Sequence, residues 1–265
     1  MKKIIILGCN ADIGRHMAIF FSKKKCKIIG TYRKKKPNFK NYQNIDVVKC
    51  NLNQQKDILK LFNYTKKKNF NWDTLFSSVG TSEPINNFFK INFFEWKKSI
   101  NTNFISQLET LHKLYPLRNN KKKTNIVFLA GGGTNNPFTN YSAYCVSKIA
   151  LIKMCELIDD ENKNLNCFIV GPGFTKTKTH FETIKAGKKA GKNFLRVKNF
   201  MKKETGTSMQ DIFNCILWGI RQGRKVVGGR NLSVVHDDWG SILLKKKLLK
   251  DSNMYKLRRY KTTLK

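Results

Sequence analysis

Acidic residues are what this chain has least of for its size. Against 52 lysines and arginines stand 17 aspartates and glutamates, a formal net charge of +35 over 265 residues. Long apolar runs are also missing. Stretches such as Ile4–Leu7 (IIIL) are far shorter than the ~20 residues that a membrane-spanning helix needs. MKKIIILGCNADIG places two lysines before such a run, but Asp12 and Arg15 follow at once with no small-residue cleavage site, unlike a secretory signal. A soluble, cytoplasmic protein without a membrane span is expected. The seven cysteines are odd in number and form no C-x-x-C pair. They read as reduced, mostly buried thiols, and no metal site is expected. No repeat and no linker interrupts the chain.

What is abundant is lysine, with 43 residues, and asparagine, with 28. Lysine triplets fall at 23–25, 34–36, 66–68, 121–123 and 245–247, dispersed rather than gathered in one stripe. Joint Lys and Asn enrichment suggests an A/T-rich coding sequence and a solvated basic surface. A nucleic-acid-binding module would share the charge, but no base-stacking aromatic motif accompanies it, so nucleic acid is not the expected partner. The positive field favours anionic ligands and makes their binding salt-sensitive.

Strand-like and helix-like stretches alternate. Strands are expected at Lys3–Leu7, Cys26–Tyr32, Ile45–Cys50, Thr74–Ser78, Asn125–Ala130, Asn166–Val170 and Lys225–Val227. Helices are expected at Ile13–Ser22, Asp57–Lys67, Phe93–Tyr115, Tyr141–Ile158 and Gln210–Arg221. This rhythm predicts the α/β class: a single-domain, Rossmann-like, doubly wound parallel sheet of about seven strands with helices on both faces. The dinucleotide-binding domain would span residues 1–230, with a long mobile loop at 174–205 that covers the substrate. Residues 231–265 would be a basic extension packed on that domain or trailing from it.

ILGCNADIGRHMA (Ile6–Ala18) lies between the first strand and the first helix. Gly8 permits a tight turn, Gly14 lets helix and strand pack closely, and the helix N-terminus offers free N–H groups to a pyrophosphate. Asp12 stands where a middle glycine is expected. A carboxylate there opposes a diphosphate unless it turns away, for instance to cap the helix through the N–H of Gly14 or Arg15. The second strand ends GTYRKKK (Gly30–Lys36), and no acid occurs between Asp12 and Asp46. No carboxylate is there to hold the ribose hydroxyl of NAD. Arg33, with Lys34 or Arg15, suits the extra phosphate of NADP instead.

Y-x-x-x-K occurs three times, at Tyr32/Lys36, Tyr64/Lys68 and Tyr144/Lys148. In a lysine-rich chain the motif proves nothing by itself. Context separates the third pair. GCNADIG follows strand one, CNL (Cys50–Leu52) strand three, SSVG (Ser77–Gly80) strand four and GPGFTKT (Gly171–Thr177) strand six. WKKSINTN (Trp96–Asn103) lies in the long helix, and YCVSK (Tyr144–Lys148) opens the helix after strand five. In this order the pieces resemble the short-chain dehydrogenase/reductase superfamily over about Lys3–Gly229.

The resemblance implies an NADP(H)-dependent oxidoreductase. Tyr144 would be the general acid/base, Lys148 its partner, and Asn103 the helix asparagine that holds a water linking Lys148 to solvent. Gly8, Asn10, Ile13 and Gly14 would form the dinucleotide loop, Asn51 and Leu52 would contact adenine, and Gly80 would border the cleft. Pro172, Gly173, Thr175 and Thr177 would hold the nicotinamide end. Residues four apart share a helix face, and an ammonium beside a phenol lowers its pKa, so the pair can move a proton as hydride is transferred. Two departures stand out. Asn51 replaces the usual aspartate, and Gly131 occupies the place, thirteen residues before Tyr144, where the family puts a serine. Thr134 is the nearest substitute hydroxyl; the backbone N–H groups of Gly131–Gly133 are the alternative.

The expected substrate is a carbonyl or alcohol, and the basic loop at 174–205 invites an anionic one: a nucleotide sugar, another phosphorylated sugar or a carrier-bound acyl group. The overall look is similar to members linked with surface-polysaccharide or sugar metabolism. A catalytically weak or inactive NADP-binding sensor or scaffold is the alternative. A homodimer or homotetramer is expected by resemblance, through the helices Phe93–Tyr115 and Tyr141–Ile158.

Overall fold

The computed structural model describes residues 1–202 and 206–259. The expected loop and tail extend into 203–205 and 260–265, which lie outside the described residues. Seven strands are present: β1 (Lys3–Leu7), β2 (Lys27–Tyr32), β3 (Ile45–Lys49), β4 (Thr74–Ser77), β5 (Thr124–Leu129), β6 (Leu165–Gly171) and β7 (Asn231–Ser233). All pair in parallel, in the order β3-β2-β1-β4-β5-β6-β7.

The expected α/β sheet is therefore present, and period-two alternation explains its two faces. Ile4 and Ile6 of β1 enter one apolar cluster, with Met17 and Phe21 of α1 (Asp12–Lys23) and Ile216 of α8 (Met209–Gln222). Ile5 and Leu7 enter the other, with Leu61 of α2 (Gln55–Lys67), Leu111 of α4 (Ser106–Leu114) and Leu151 of α5 (Ser142–Glu161). Each such aliphatic side chain contributes roughly 1.5–3 kcal/mol through burial. Strand order reverses between β1 and β4. A parallel sheet opens its ligand crevice at that point, beyond the carboxyl ends of the strands.

The long helix expected at Phe93–Tyr115 is not uniform. α3 (Phe93–Ile100) passes through a π turn at Asn101–Ile105 before α4. The buried Gln107 side chain donates to the carbonyl of Asn103 at 2.5 Å, inserting a side chain into the helical ladder where it widens.

Two expectations are corrected. Within the stretch expected as a long loop, the described residues instead carry α6 (Lys178–Ala186) and α7 (Lys192–Lys202). α6 buries Glu182 and Thr183, polar residues that leave no apolar stripe in the sequence. The strand expected at Lys225–Val227 is the short helix α9 (Arg224–Val227), and strand pairing begins only at β7. Gly229 turns the chain at φ +68° and donates its N–H to Cys167 O. Residues 231–259 complete the sheet and add α10 (Ile242–Lys250). Buried Arg230 holds this segment by donating to the carbonyls of Leu248, Asp251 and Met254 at 2.6, 2.9 and 2.7 Å.

Candidate active site

The turn after β1 is built from β2 and β4. Gly8, at φ +79°, donates its N–H to Thr31 Oγ1 at 2.9 Å, and Cys9 donates to Thr31 O. Ser78 Oγ donates to Gly8 O at 3.0 Å. A Cβ on Gly14 would overlap Gly8 O and Ser78 Oγ, so only glycine lets α1 approach this closely. Ala11 is the N-cap of α1 and makes no side-chain cap bond, which leaves the helix N-terminus open to an anion.

Asp12 does not cap the helix, contrary to expectation, because it already lies in the first turn. Its carboxylate reaches across the cleft and accepts the Lys178 N–H at 2.8 Å. Asn10 Nδ2 donates to Lys35 O, and Asp57 receives the Asn51 N–H. Arg15 is committed to Asn38 O and to the face of Phe39. Arg33 is exposed and makes no ion pair among the described residues. Gly8, Asn10, Arg33, Asn51, Leu52 and Gly80 line one cavity of about 1240 Å³.

A second cavity, of about 710 Å³, takes in Asp12, Ile13, Thr134, Tyr144, Lys148, Pro172, Gly173, Thr175 and Thr177. The two share Ala11, Ser78, Val79, Gly80 and Lys178, so the cleft runs on from one to the other. Tyr144 and Lys148 stand one turn apart on α5. The Lys148 ammonium lies 5.8 Å from the Tyr144 ring centroid and donates to Leu129 O at 2.7 Å. Burial lowers the Lys148 pKa to about 8. The lowered phenol expected for Tyr144 is not what this geometry produces. Burial, then Cys145 and Glu182, push it above the ordinary range.

The missing serine has a structural counterpart. A Cβ on Gly131 would overlap the Tyr144 hydroxyl, so the tyrosine occupies the space a serine side chain would need. Thr134 donates to Gly131 O at 3.4 Å and makes no bond to Tyr144 among the described residues. The amides of Gly131, Gly132 and Gly133 have no acceptor among the described residues. Ser142 Oγ is held by the Trp96 Nε1–H, which it accepts, and the Tyr141 hydroxyl is spent as a donor to Thr183.

Asn103 lies behind Gly80, outside both cavities. It brackets Thr81, accepting its N–H at 2.8 Å and donating to its carbonyl at 2.9 Å. Its backbone carbonyl accepts from Gln107, whose Oε1 accepts from Ser77. Thr175 donates to Thr207 O, and Thr177 meets Thr179 and His180.

Sequence reasoning missed Gln107 and Glu182. Buried Glu182 of α6 accepts from Ser82 N (2.7 Å), Ser82 Oγ (2.8 Å) and Thr81 Oγ1 (3.0 Å), and pairs with Lys178 at 2.9 Å. Burial alone would raise its pKa, but the bonds from Lys178 and Ser82 hold it below the ordinary carboxylate value. One signal was available: Glu182 and Glu204 are the only carboxylates between Phe174 and Thr205.

A family model described as short chain dehydrogenase matches residues 2–187. An uncharacterized oxidoreductase of Saccharomyces cerevisiae is 27% identical over 184 residues, 66% of this chain and 71% of the yeast protein. Its crystal structure superposes with a TM-score of 0.79 at 21% identity, covering 92% of this chain and 98% of the other. ElxO with NADP bound (TM-score 0.73, 20% identity) covers 88% of this chain and 96% of its own. 4-Hydroxyisoleucine dehydrogenase complexed with NADH (TM-score 0.67, 23% identity) has the same coverages. At these identities the structural likeness carries the fold.

Proposed function

The chain belongs to the short-chain dehydrogenase family, and from that premise we propose that it is an NADP(H)-dependent reductase of small anionic carbonyl compounds. Its class is that of an oxidoreductase that uses a nicotinamide cofactor. The observation that carries the finer reading is one continuous cleft with a glycine cradle at one end and the Tyr144/Lys148 pair at the other.

The residues fit the cofactor. Gly8 and Gly14 leave room where a Cβ would intrude, the α1 N-terminus is open, and Asp12 is turned away onto Lys178. Gly8, Asn10, Ile13 and Gly14 would hold the pyrophosphate, Asn51 and Leu52 the adenine, and Arg33 the extra phosphate of NADP. Gly80, Pro172, Gly173, Thr175 and Thr177 would enclose the nicotinamide. Bound there, the cofactor supplies hydride. The chain supplies the proton. Tyr144 donates it to the carbonyl oxygen, and its raised pKa keeps the hydroxyl protonated at neutral pH. Lys148 holds the rear of the site through Leu129 O.

Polarising the carbonyl oxygen falls to the free amides of Gly131–Gly133 or to Thr134. Gly132 separates these. A Cβ there meets only Phe138, at 3.8 Å or more, so Gly132→Ala is tolerated whereas Gly132→Pro deletes the amide. The amide reading expects activity to fall in the proline variant and not in Thr134→Val.

Calorimetric titration with NADPH and NADH at moderate and high salt tests the cofactor assignment. Tight NADPH binding that survives salt, weak NADH binding and loss of the preference in Arg33→Ala support it. Equal affinity for both removes the Arg33 role. One observation favours a second reading, a weak or inactive NADP sensor: Thr134 and Lys148 spend their donors on the carbonyls of Gly131 and Leu129, and neither bonds to the Tyr144 hydroxyl among the described residues. Such a protein binds NADPH and reduces nothing.

Assembly as a homodimer or homotetramer is supported by Phe93, Phe94, Val146 and Ile149, exposed on α3 and α5. No helix among the described residues is long and apolar enough to cross a membrane. The seven free cysteines suit a reducing, cytoplasmic setting.

A further inference from the structure

The lining of the second cavity carries a group that the catalytic scheme leaves unused. Phe174 follows Gly173 directly and packs against His180 and Phe200, with ring centroids 5.4 and 5.1 Å away. Arg196, on α7, lies with its guanidinium carbon 4.5 Å from the Phe174 centroid. Phe174, His180, Arg196, Tyr144 and Lys148 line the same cavity.

We propose that Arg196, steadied on Phe174, recognises a carboxylate or phosphate group on the substrate and is the specificity-determining residue of the lid. The inference rests on the carbonyl-reductase reading and names the substrate feature that reading leaves open. Three observations support it. Arg196 has no carboxylate partner among the described residues, so its N–H fork is unspent. The carboxylates bordering the cavity are engaged elsewhere: Asp12 by Lys178 N, and Asp237 by Ser233 N. Among the other basic residues that line the cavity, Lys178 pairs with Glu182, Lys148 is held on Leu129 O, and burial lowers the pKa of His180 and of Lys256.

Stacking on an aromatic face fixes the plane of a guanidinium while leaving its edges open, the geometry in which arginine meets planar oxyanions in pairs. A lysine at this position would present a point charge without that fork. The flat Phe174 wall beside it suits a substrate whose anionic group lies on a planar or ring-bearing frame.

The test uses the full chain and a titration of NADPH first, then benzoate, phenyl phosphate and benzamide into the NADPH-loaded protein at 0.15 M-type ionic strength, read by calorimetry. The expected result is that one anion binds about tenfold or more tighter than benzamide. Arg196→Leu should abolish that preference, Arg196→Lys should retain part of it, and Lys192→Leu, which removes an exposed charge nearby, should leave it intact. Tighter phenyl phosphate identifies a phosphorylated substrate; tighter benzoate identifies a carboxylate. Equal binding of benzamide and both anions, no binding of either anion, or an unchanged preference in Arg196→Leu overturns the proposal. Failure to bind NADPH instead sinks the cofactor reading, and the anion titration of the unloaded chain still reads Arg196 separately.

Discussion

The same five-residue pattern, Y-x-x-x-K, meets a helix twice, with opposite results. At the C-terminal end of α2, Lys68, the residue that caps it, follows Tyr64 and places its ammonium 5.7 Å from the ring centroid; within α5, Lys148 does the same to Tyr144 at 5.8 Å. Local geometry is all but identical. The surroundings differ. The Lys68 side chain is 53% exposed and pairs with Asp46, which also accepts from the Tyr64 hydroxyl. Lys148 is 4% exposed, and among the described residues its only hydrogen-bond partner is the carbonyl of Leu129. Spacing brings the two groups together; desolvation and the neighbouring cavity give the second pair its chemistry.

The largest expected break in this comparison is catalytic. Tyr144→Phe should lower NADPH-dependent turnover by about 10²–10⁴-fold while leaving NADPH affinity unchanged. Tyr64→Phe should leave both unchanged. Steady-state assays of the two variants side by side check this, and equal activities would place the chemistry elsewhere.

Next in size is Gly131→Ser, which restores the serine usual in the family. Because its Cβ overlaps the Tyr144 hydroxyl, we expect a loss of about 1–3 kcal/mol in urea unfolding and a fall in turnover. A gain in activity at unchanged stability would show that Tyr144 has room to withdraw.

The buried lysine should also show proton linkage. Lys148 has a folded-state pKa of about 8 against an ordinary 10.5. Between those values the unfolded chain binds the additional proton, so this group's contribution makes stability rise with pH across the window; below about 8 both states are protonated and the unfavourable contribution stays constant. The difference between wild type and Lys148→Met in chemical denaturation should therefore vary with pH in that range. The smallest effect belongs to the exposed pair itself. Asp46→Asn should change stability by no more than about 0.5 kcal/mol, measured by the same denaturation.

Much of the fold was legible because short-range patterns carry it. The β-branched run Ile4–Ile6, the Gly8/Gly14 spacing and the helix boundary near Ser142 each encode a local conformation. β7 was not, since Val226 and Val227 look like strand residues although Gly223 starts a helical turn there. α6 was hidden for a different reason: the face it buries holds Glu182 and Thr183 instead of an aliphatic stripe. In the site, Tyr144 and Lys148 could be named from order and spacing. The fate of Asp12 could not, because its partner Lys178 is 166 residues away.

By itself the sequence determined the alternation of strands and helices, the glycine cradle, the absence of an acid at the end of β2 and the tyrosine–lysine pairs. These depend on residues within a few turns or strand repeats of one another. Only the tertiary structure decided which pair is buried, that Tyr144 occupies the space a serine at Gly131 would need, and that Glu182 joins α6 to Ser82 across 100 residues. Those outcomes depend on desolvation and close contact between distant segments, which exist only once the sheet has brought its strand ends together.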